Sequence, residues 1–361
     1  MSFRNGPVIF HKNDGGTLIK MTHELIKIIG TYRQARAQGQ RAVLATVVAL
    51  EGSSYRRPGV RMLILEDGGM VGAVSGGCVE KEVRKQATPV FNSGIPKMMT
   101  YDGRYRLGCE GILYILLEPF EPSENLLEAF SQTLQERLPF TVSSRFEKSD
   151  GESPDFGSFI RIKGANLYFR AVAHITPNKK NVPLLCFDQD MEPCFQLVIF
   201  GAEHDAVQLC SLAAMLGWEV TVTIPSSEGK QKSDFPGSSN FMEILPEDFP
   251  LDRIDSSTAV MLMNHGYVKD LKCLIALKDI HPAYLGLLGP AKRRERLLNE
   301  LMELEPQLRT DFMEQIHGPA GLNIGAETPQ EIAVAILSEI LSVVRKQNPI
   351  FLRNKPGSIH N

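Results

Sequence analysis

Nothing in this 361-residue sequence is long and apolar enough to cross a bilayer. Its longest apolar runs, Ala42 to Leu50 and Ile112 to Leu117, fall well short of the roughly 20 residues a spanning helix requires. Residues 1–20 lack the apolar centre and small-residue cleavage pattern of an export signal. Six cysteines, at 78, 109, 186, 194, 210 and 273, form no C-x-x-C pair, so no zinc site, dithiol centre or disulfide framework is indicated. Neither sign of charge dominates: 39 Lys and Arg against 42 Asp and Glu leave −3, which gives no electrostatic reason to expect nucleic acid or an anionic membrane surface. Together these absences predict a reduced, cytoplasmic, globular protein.

The length is enough for two domains with ample core. The pattern of elements divides the chain into an N-terminal α/β domain with a mixed sheet, residues 1–194, and a Rossmann-like, doubly wound parallel-sheet domain, residues 195–346. Residues 123–194 form a β-rich bridge within the first domain, and residues 347–361 form a polar tail. In the first domain, apolar spacing predicts a helix over Thr22–Gln38, a buried strand over Ala42–Leu50, and a hairpin of Val60–Leu65 with Met70–Val74. The second hairpin strand runs into Ser75-Gly76-Gly77-Cys78-Val79-Glu80, after which a helix over Glu80–Ala87 is expected. Paired glycines allow positive φ and close approach of a ligand, and the free N–H groups of a helix start favour an anion. Cys78 beside such a start leans toward thiolate, a nucleophile or a soft-metal contact. The plainer reading is a glycine turn followed by a small buried cysteine.

Two further stretches of the first domain carry chemistry. The loop Glu51 to Gly59 holds hydroxyls and two arginines, Arg56 and Arg57, the equipment for an oxyanion or simply a polar turn. Tyr105 to Gly111 sets a second cysteine, Cys109, between glycines ahead of a strand over Ile112–Glu118. If both cysteine turns lie at the same strand ends, Cys78 and Cys109 meet. The bridge, with a helix over Leu126–Leu138 and strands over Thr141–Phe146, Ser158–Lys163, Leu167–Ala173 and Leu184–Phe187, shows no chemical constellation.

In the second domain, Gln196–Phe200, the turn Gly201-Ala202-Glu203-His204 and a helix to Leu216 have the layout of a dinucleotide-binding half. The fingerprint is broken by Glu203 at its second glycine, and the next strand ends Ile224-Pro225-Ser226 without an acid for a ribose. A Rossmann fold is therefore expected and tight NAD(P) binding is not. His265, after the strand Ala259–Met263, stands where open α/β sheets face their ligand crevice, with Asp270 five residues on. Lys292, Arg293 and Arg294 open a helix against its macrodipole, which suggests an acidic ligand or partner, or a solvated basic face. Thr328-Pro329-Gln330-Glu331 is a capping box opening the last helix.

With these residues laid out, the chain resembles the XdhC/CoxI family, the xanthine dehydrogenase accessory proteins. The likeness rests on Gly52-Ser53-Ser54, Pro58-Gly59, Gly72 to Glu80 and Leu107-Gly108-Cys109 in the first domain. In the second it rests on Phe200 to His204, Met263-Asn264-His265, Tyr284 to Gly289 with Lys292 and Arg293, and above all Gly318 to Ala333. The resemblance implies a protein without turnover that binds the molybdenum cofactor and delivers it, in sulfur-bearing form, to a xanthine dehydrogenase-type molybdenum hydroxylase. A cysteine desulfurase would be a further partner, and a homodimer the working unit. Under this reading Cys78 approaches the metal or its sulfur, Glu80 orients a polar ligand, and Ser75, Gly76 and Gly77 admit the pterin. Arg56 and Arg57 would bind its phosphate, and Cys109, Gly201, His204 and His265 join the cofactor-binding set. Glu110, Glu203, Ile224 and Ser226 depart from the family pattern. The rival reading is an NAD(P)-linked oxidoreductase using the C-terminal Rossmann domain. Membership of the dehydrogenase itself is disfavoured, because iron–sulfur cysteine spacing is missing.

Overall fold

A computed structural model describes residues 10–11, 22–52, 54, 57–104, 111–171 and 184–356. The chain divides into two compact units, with the boundary between Pro193 and Cys194.

The first unit runs β1 (Phe10–His11), α1 (Thr22–Ala37), β2 (Ala42–Glu51), β3 (Arg61–Leu65), β4 (Met70–Gly72), α2 (Cys78–Ser93), β5 (Lys97–Asp102), β6 (Ile112–Pro119), α3 (Glu124–Gln135), β7 (Phe140–Phe146), β8 (Gly151–Glu152), β9 (Gly157–Ile162), β10 (Ala165–Tyr168) and β11 (Leu185–Met191). Six strands form an antiparallel sheet in the order β4-β3-β2-β6-β5-β8. Five form a second sheet, β1-β11-β7-β9-β10, mixed because β1 runs parallel to β11 and the remaining pairs are antiparallel. Strand alternation gives the larger sheet two apolar faces. Val43, Ala45 and Val47 pack with Val79, Val83 and Ala87 of α2. Ala42 and Leu44 pack instead with α1, α3 and the second sheet.

Several boundaries differ from the sequence reading. The helix expected from Glu80 begins at Cys78 and continues to Ser93, through Pro89, ending at Gly94 in a left-handed conformation. The strand expected over Leu167–Ala173 covers only Ala165–Tyr168, and residues 172–183 lie outside the described residues. The bridge is also not chemically silent. Ser144, Ser158, Arg170 and Gln189 are buried with Arg61 and Glu118 of the larger sheet.

The second unit runs β12 (Gln196–Phe200), α4 (His204–Met215), β13 (Glu219–Ile224), β14 (Asn240–Glu243), β15 (Thr258–Leu262), α5 (Tyr267–Leu277), β16 (Tyr284–Leu287), α6 (Ala291–Leu304), α7 (Thr310–Glu314), β17 (Ile316–His317) and α8 (Pro329–Val344). Its sheet is parallel throughout, in the order β14-β13-β12-β15-β16-β17, the doubly wound Rossmann arrangement. The order reverses between β12 and β15, so the switch-point crevice is framed by the turns after Phe200 and Leu262. One face is covered by α4 and α8, the other by α5, α6 and α7. Thr328 and Glu331 form the expected capping box, with Pro329 at the first helical position. The tail is less polar in presentation than in composition: Ile350, Phe351 and Leu352 are exposed beside a short 3-10 turn over Leu352–Asn354.

Candidate functional site

The turn between β4 and α2 is built by two constraints. At Gly72, with φ 86°, a Cβ would lie 2.4 Å from the Arg61 carbonyl oxygen, so glycine lets the hairpin close. Val74 is fully buried and anchors the chain. Gly76 and Gly77 then follow, and among the described residues nothing lies within 4 Å of where a Cβ would stand on either. Gly77, at φ 55° and ψ −71°, is the N-cap of α2 and supplies no side chain to its free N–H groups.

Glu80, in the first turn of α2, reaches back and accepts a hydrogen bond from the Ser75 backbone N–H at 2.9 Å. Its other oxygen, Oε2, is buried and has no partner among the described residues, and Ser54 Oγ is in the same condition. This weighs against an anion at the helix start. The carboxylate there already complements the macrodipole and opposes a second negative group, so the free oxygen calls for a hydrogen-bond donor.

The structure brings Ser75, Gly76, Gly77 and Glu80 onto one turn with the backbone of Cys78. The Cys78 side chain, Arg56 and Cys109 lie outside what is described, and with them the meeting of Cys78 and Cys109. Arg57 is described and partly buried. Among the described residues, no group of three or more His, Cys, Asp or Glu is placed to hold a metal ion.

In the second unit Gly201 and the residue after β15 touch: a Cβ on Gly201 would lie 2.4 Å from the Met263 carbonyl oxygen. This glycine is required by its neighbouring strand, whatever binds nearby. His204, the first residue of α4, and His265, on the turn after β15, are both exposed. Glu203, the N-cap of α4, is also exposed and gives no side-chain cap.

The basic opening of α6 has an internal explanation. Arg293 Nη2 donates to Asp270 Oδ2 at 2.7 Å and to the Asn264 carbonyl at 3.0 Å. Asn264 Nδ2 donates to Asp270 Oδ1 at 3.0 Å. Burial pushes the fully buried Asp270 carboxyl up, against the pull of Arg293 and Asn264. Arg294 donates to the Ile316 carbonyl at 3.3 Å. The two arginines therefore brace the switch-point turn and the last strand, and the suggested acidic ligand or partner is not needed to account for them.

Sequence reasoning missed a second polar node. Glu339 of α8 accepts from Tyr284 Oη at 2.5 Å and from the Gly321 N–H at 2.7 Å, with His317 Nδ1 at 3.3 Å. The Tyr284 and His317 rings stack, with centroids 4.5 Å apart. Burial alone would push Glu339 up, but the hydrogen bonds from His317, Tyr284 and Gly321 outweigh it and hold the carboxyl down at about 2. The signals in the sequence are the runs Tyr284 to Gly289 and Gly318 to Ala333, which carry family likeness but no evident role.

Residues 35–102, which include the Gly72–Glu80 turn, match the model of the XdhC and CoxI family, and residues 197–340 match the XdhC Rossmann domain. A Bacillus subtilis protein, named as a probable subunit of xanthine dehydrogenase, is 30% identical over 327 residues, covering 85% of this chain and 94% of that protein. The chain belongs to the XdhC and CoxI family. A further relative, the Escherichia coli "Molybdenum cofactor insertion chaperone PaoD", is 27% identical over 315 residues, 86% of each chain. A Bacillus halodurans protein solved as a xanthine dehydrogenase superposes with a TM-score of 0.72 at 26% identity, over 91% of this chain and 98% of that one. In this XdhC and CoxI family chain, the glycine turn and most of the Rossmann sheet and its helices thus fall inside the two matched regions, while residues 103–196 fall outside both. Among the described residues no helix is long and apolar enough to cross a membrane.

Proposed function

We propose that this chain is a molybdenum-cofactor accessory protein: it holds the cofactor at the Ser75–Glu80 turn and passes it to a molybdenum hydroxylase of the xanthine dehydrogenase type. The names carried by its relatives support the class. The observation that carries the site is the buried Glu80 Oε2, without a partner among the described residues, beside two glycines that no described residue crowds. When bound, the cofactor supplies a molybdenum centre with soft sulfur ligands, a pterin rich in N–H donors, and a phosphate.

These parts suit the residues in different ways. Glu80 Oε2 accepts an N–H of the pterin, Gly76 and Gly77 let the ring approach the main chain, and Cys78 offers a thiolate to the metal or its sulfur. Because Glu80 disfavours a second anion, the phosphate belongs to the arginine loop, Arg56 and Arg57, rather than to the start of α2. Cys109 is a secondary member of this site; His204 and His265 are proposed as ligand contacts of the second unit by itself, and Gly201 as the glycine that lets their turns approach. Delivery in sulfur-bearing form, with a cysteine desulfurase as sulfur source, a homodimer as the working unit and the cytoplasm as its place, completes it.

The rival NAD(P)-linked oxidoreductase has the strand order of the second unit in its favour. Against it, Glu203 places a negative charge at the start of α4, where a pyrophosphate would lie. Incubating the cofactor-loaded chain with cofactor-free hydroxylase tests the proposal. Activity should rise in proportion to the loaded chain added; no rise, with loading verified, would contradict it.

A further inference from the structure

The space between the two sheets of the first unit is divided by a row of polar side chains, one from each strand that crosses it. In β2 the inward residues read Leu44, Thr46, Val48; in β7 they read Val142, Ser144, Phe146; in β11, Met191, Gln189, Phe187. Glu118 of β6, Ser158 of β9 and Arg61 of β3 complete the row, which runs obliquely to the strands: Thr46 pairs with Arg61 and Ser144 with Ser158, whereas Glu118 pairs with Leu44 and Gln189 with Val142. The apolar residues on one side of the row belong to one core cluster, and those on the other side to a second.

All members of the row are at least nine-tenths buried, as is Arg170 beside them. Some of their polar atoms are satisfied. Arg61 Nη1 donates to the Gly59 carbonyl at 2.9 Å and to Gln189 Oε1 at 2.6 Å. Glu118 Oε2 accepts from the Ser158 N–H at 2.8 Å, and Arg170 Nη2 donates to the Phe156 carbonyl at 3.1 Å. Five atoms have no partner among the described residues: Arg61 Nε and Nη2, Arg170 Nε, Thr46 Oγ1 and Glu118 Oε1. Gly157 keeps a gap in the row, since a Cβ there would lie 3.2 Å from Glu118 Oε2 and 3.4 Å from Arg170 Nε.

Both guanidinium groups are attracted to Glu118, yet no hydrogen bond joins either of them to it. An unpartnered buried donor or acceptor bears its full desolvation cost, so five in one layer require an occupant. A halide would satisfy the nitrogens but face Glu118 Oε1, and Glu24 and Asp155 add negative charge toward Arg61 and Arg170. Water serves both sides, accepting from the guanidinium groups and donating to the carboxylate. Three nitrogens need at least three acceptor positions, and one water offers two lone pairs, so a single molecule is too few. We infer that the row is a hydrated seam, with at least two ordered waters bridging Arg61, Arg170, Thr46 and Glu118 across the two sheets.

A crystal structure of the full chain, grown in sodium bromide and resolved well enough to place solvent, tests this. The expected result is water density within hydrogen-bond distance of Arg61 Nε or Nη2, Arg170 Nε and Glu118 Oε1, with no bromide anomalous signal there. A bromide peak in the row would make it an anion site and overturn the inference. So would a dry row in which a guanidinium bonds Glu118 directly.

Discussion

Glu80 accepts the Ser75 backbone N–H with one carboxylate oxygen at 2.9 Å and keeps the other buried, without a partner among the described residues. One side chain thus fixes the glycine turn and leaves an acceptor at it. Replacing Glu80 with Gln keeps an oxygen for Ser75 but turns an N–H₂ toward the ligand's donor. A hydrogen bond to a charged group contributes roughly 1.5–3 kcal/mol, or about 10- to 150-fold in affinity. Glu80→Gln should therefore retain about 10-fold less pterin or worse after dilution, at unchanged thermal stability. Equal retention would remove Glu80 from the site.

Gly201→Ala probes the second unit alone. Its Cβ would meet the Met263 carbonyl oxygen at 2.4 Å on a backbone at φ 142°, so a strand end must move. Overpacking of this kind costs about 1–3 kcal/mol. Urea unfolding should show that loss for the second unit, while pterin retention stays as in wild type. Loss of pterin without loss of stability would assign Gly201 to the ligand after all.

Removing the Arg293 side chain leaves Asp270 buried and without its charge partner. Breaking a buried pair from one side costs about 3–5 kcal/mol. Arg293→Met should destabilise by that order, and Asp270→Asn in the same chain should recover part of it. A double-mutant cycle of unfolding free energies checks the coupling, and additivity would contradict it.

The alternation of strand and helix in the second unit was legible where a strand is a short apolar run closed by glycine or proline, as in Gln196–Phe200 and Glu219–Ile224, whereas β14 and β17, short and without that pattern, were not read. The capping box of α8 could be read from four residues. Other features were not local. A helix start at Cys78 has no side-chain cap to announce it, because Gly77 begins the helix through its backbone conformation. Arg293 reads as a ligand group until α5 brings in Asp270. The polar row is invisible strand by strand, since each contributes one polar residue to an apolar face, and only the stacking of two sheets assembles it. At the proposed site, the glycines and Glu80 were visible as a motif, but the division of labour between the two oxygens of Glu80 needed the turn itself.

Glu339 gives a pH signature. Its carboxyl is held at about 2 in the folded chain against an ordinary 4.5, so the folded state favours the ionised form. The stability it contributes is complete above pH 4.5 and is lost as pH falls from there toward 2. Glu339→Gln should lower stability at neutral pH and flatten the acid slope in that window. An unchanged slope in denaturation curves between those limits would contradict the assignment.

The most direct test of the central claim is the pterin content of the anaerobically purified chain, from a host that makes the molybdenum cofactor. The account predicts near-stoichiometric pterin in wild type and its loss in a folded Cys78→Ala variant. Wild type without pterin, or Cys78→Ala loaded as fully as wild type, would contradict it.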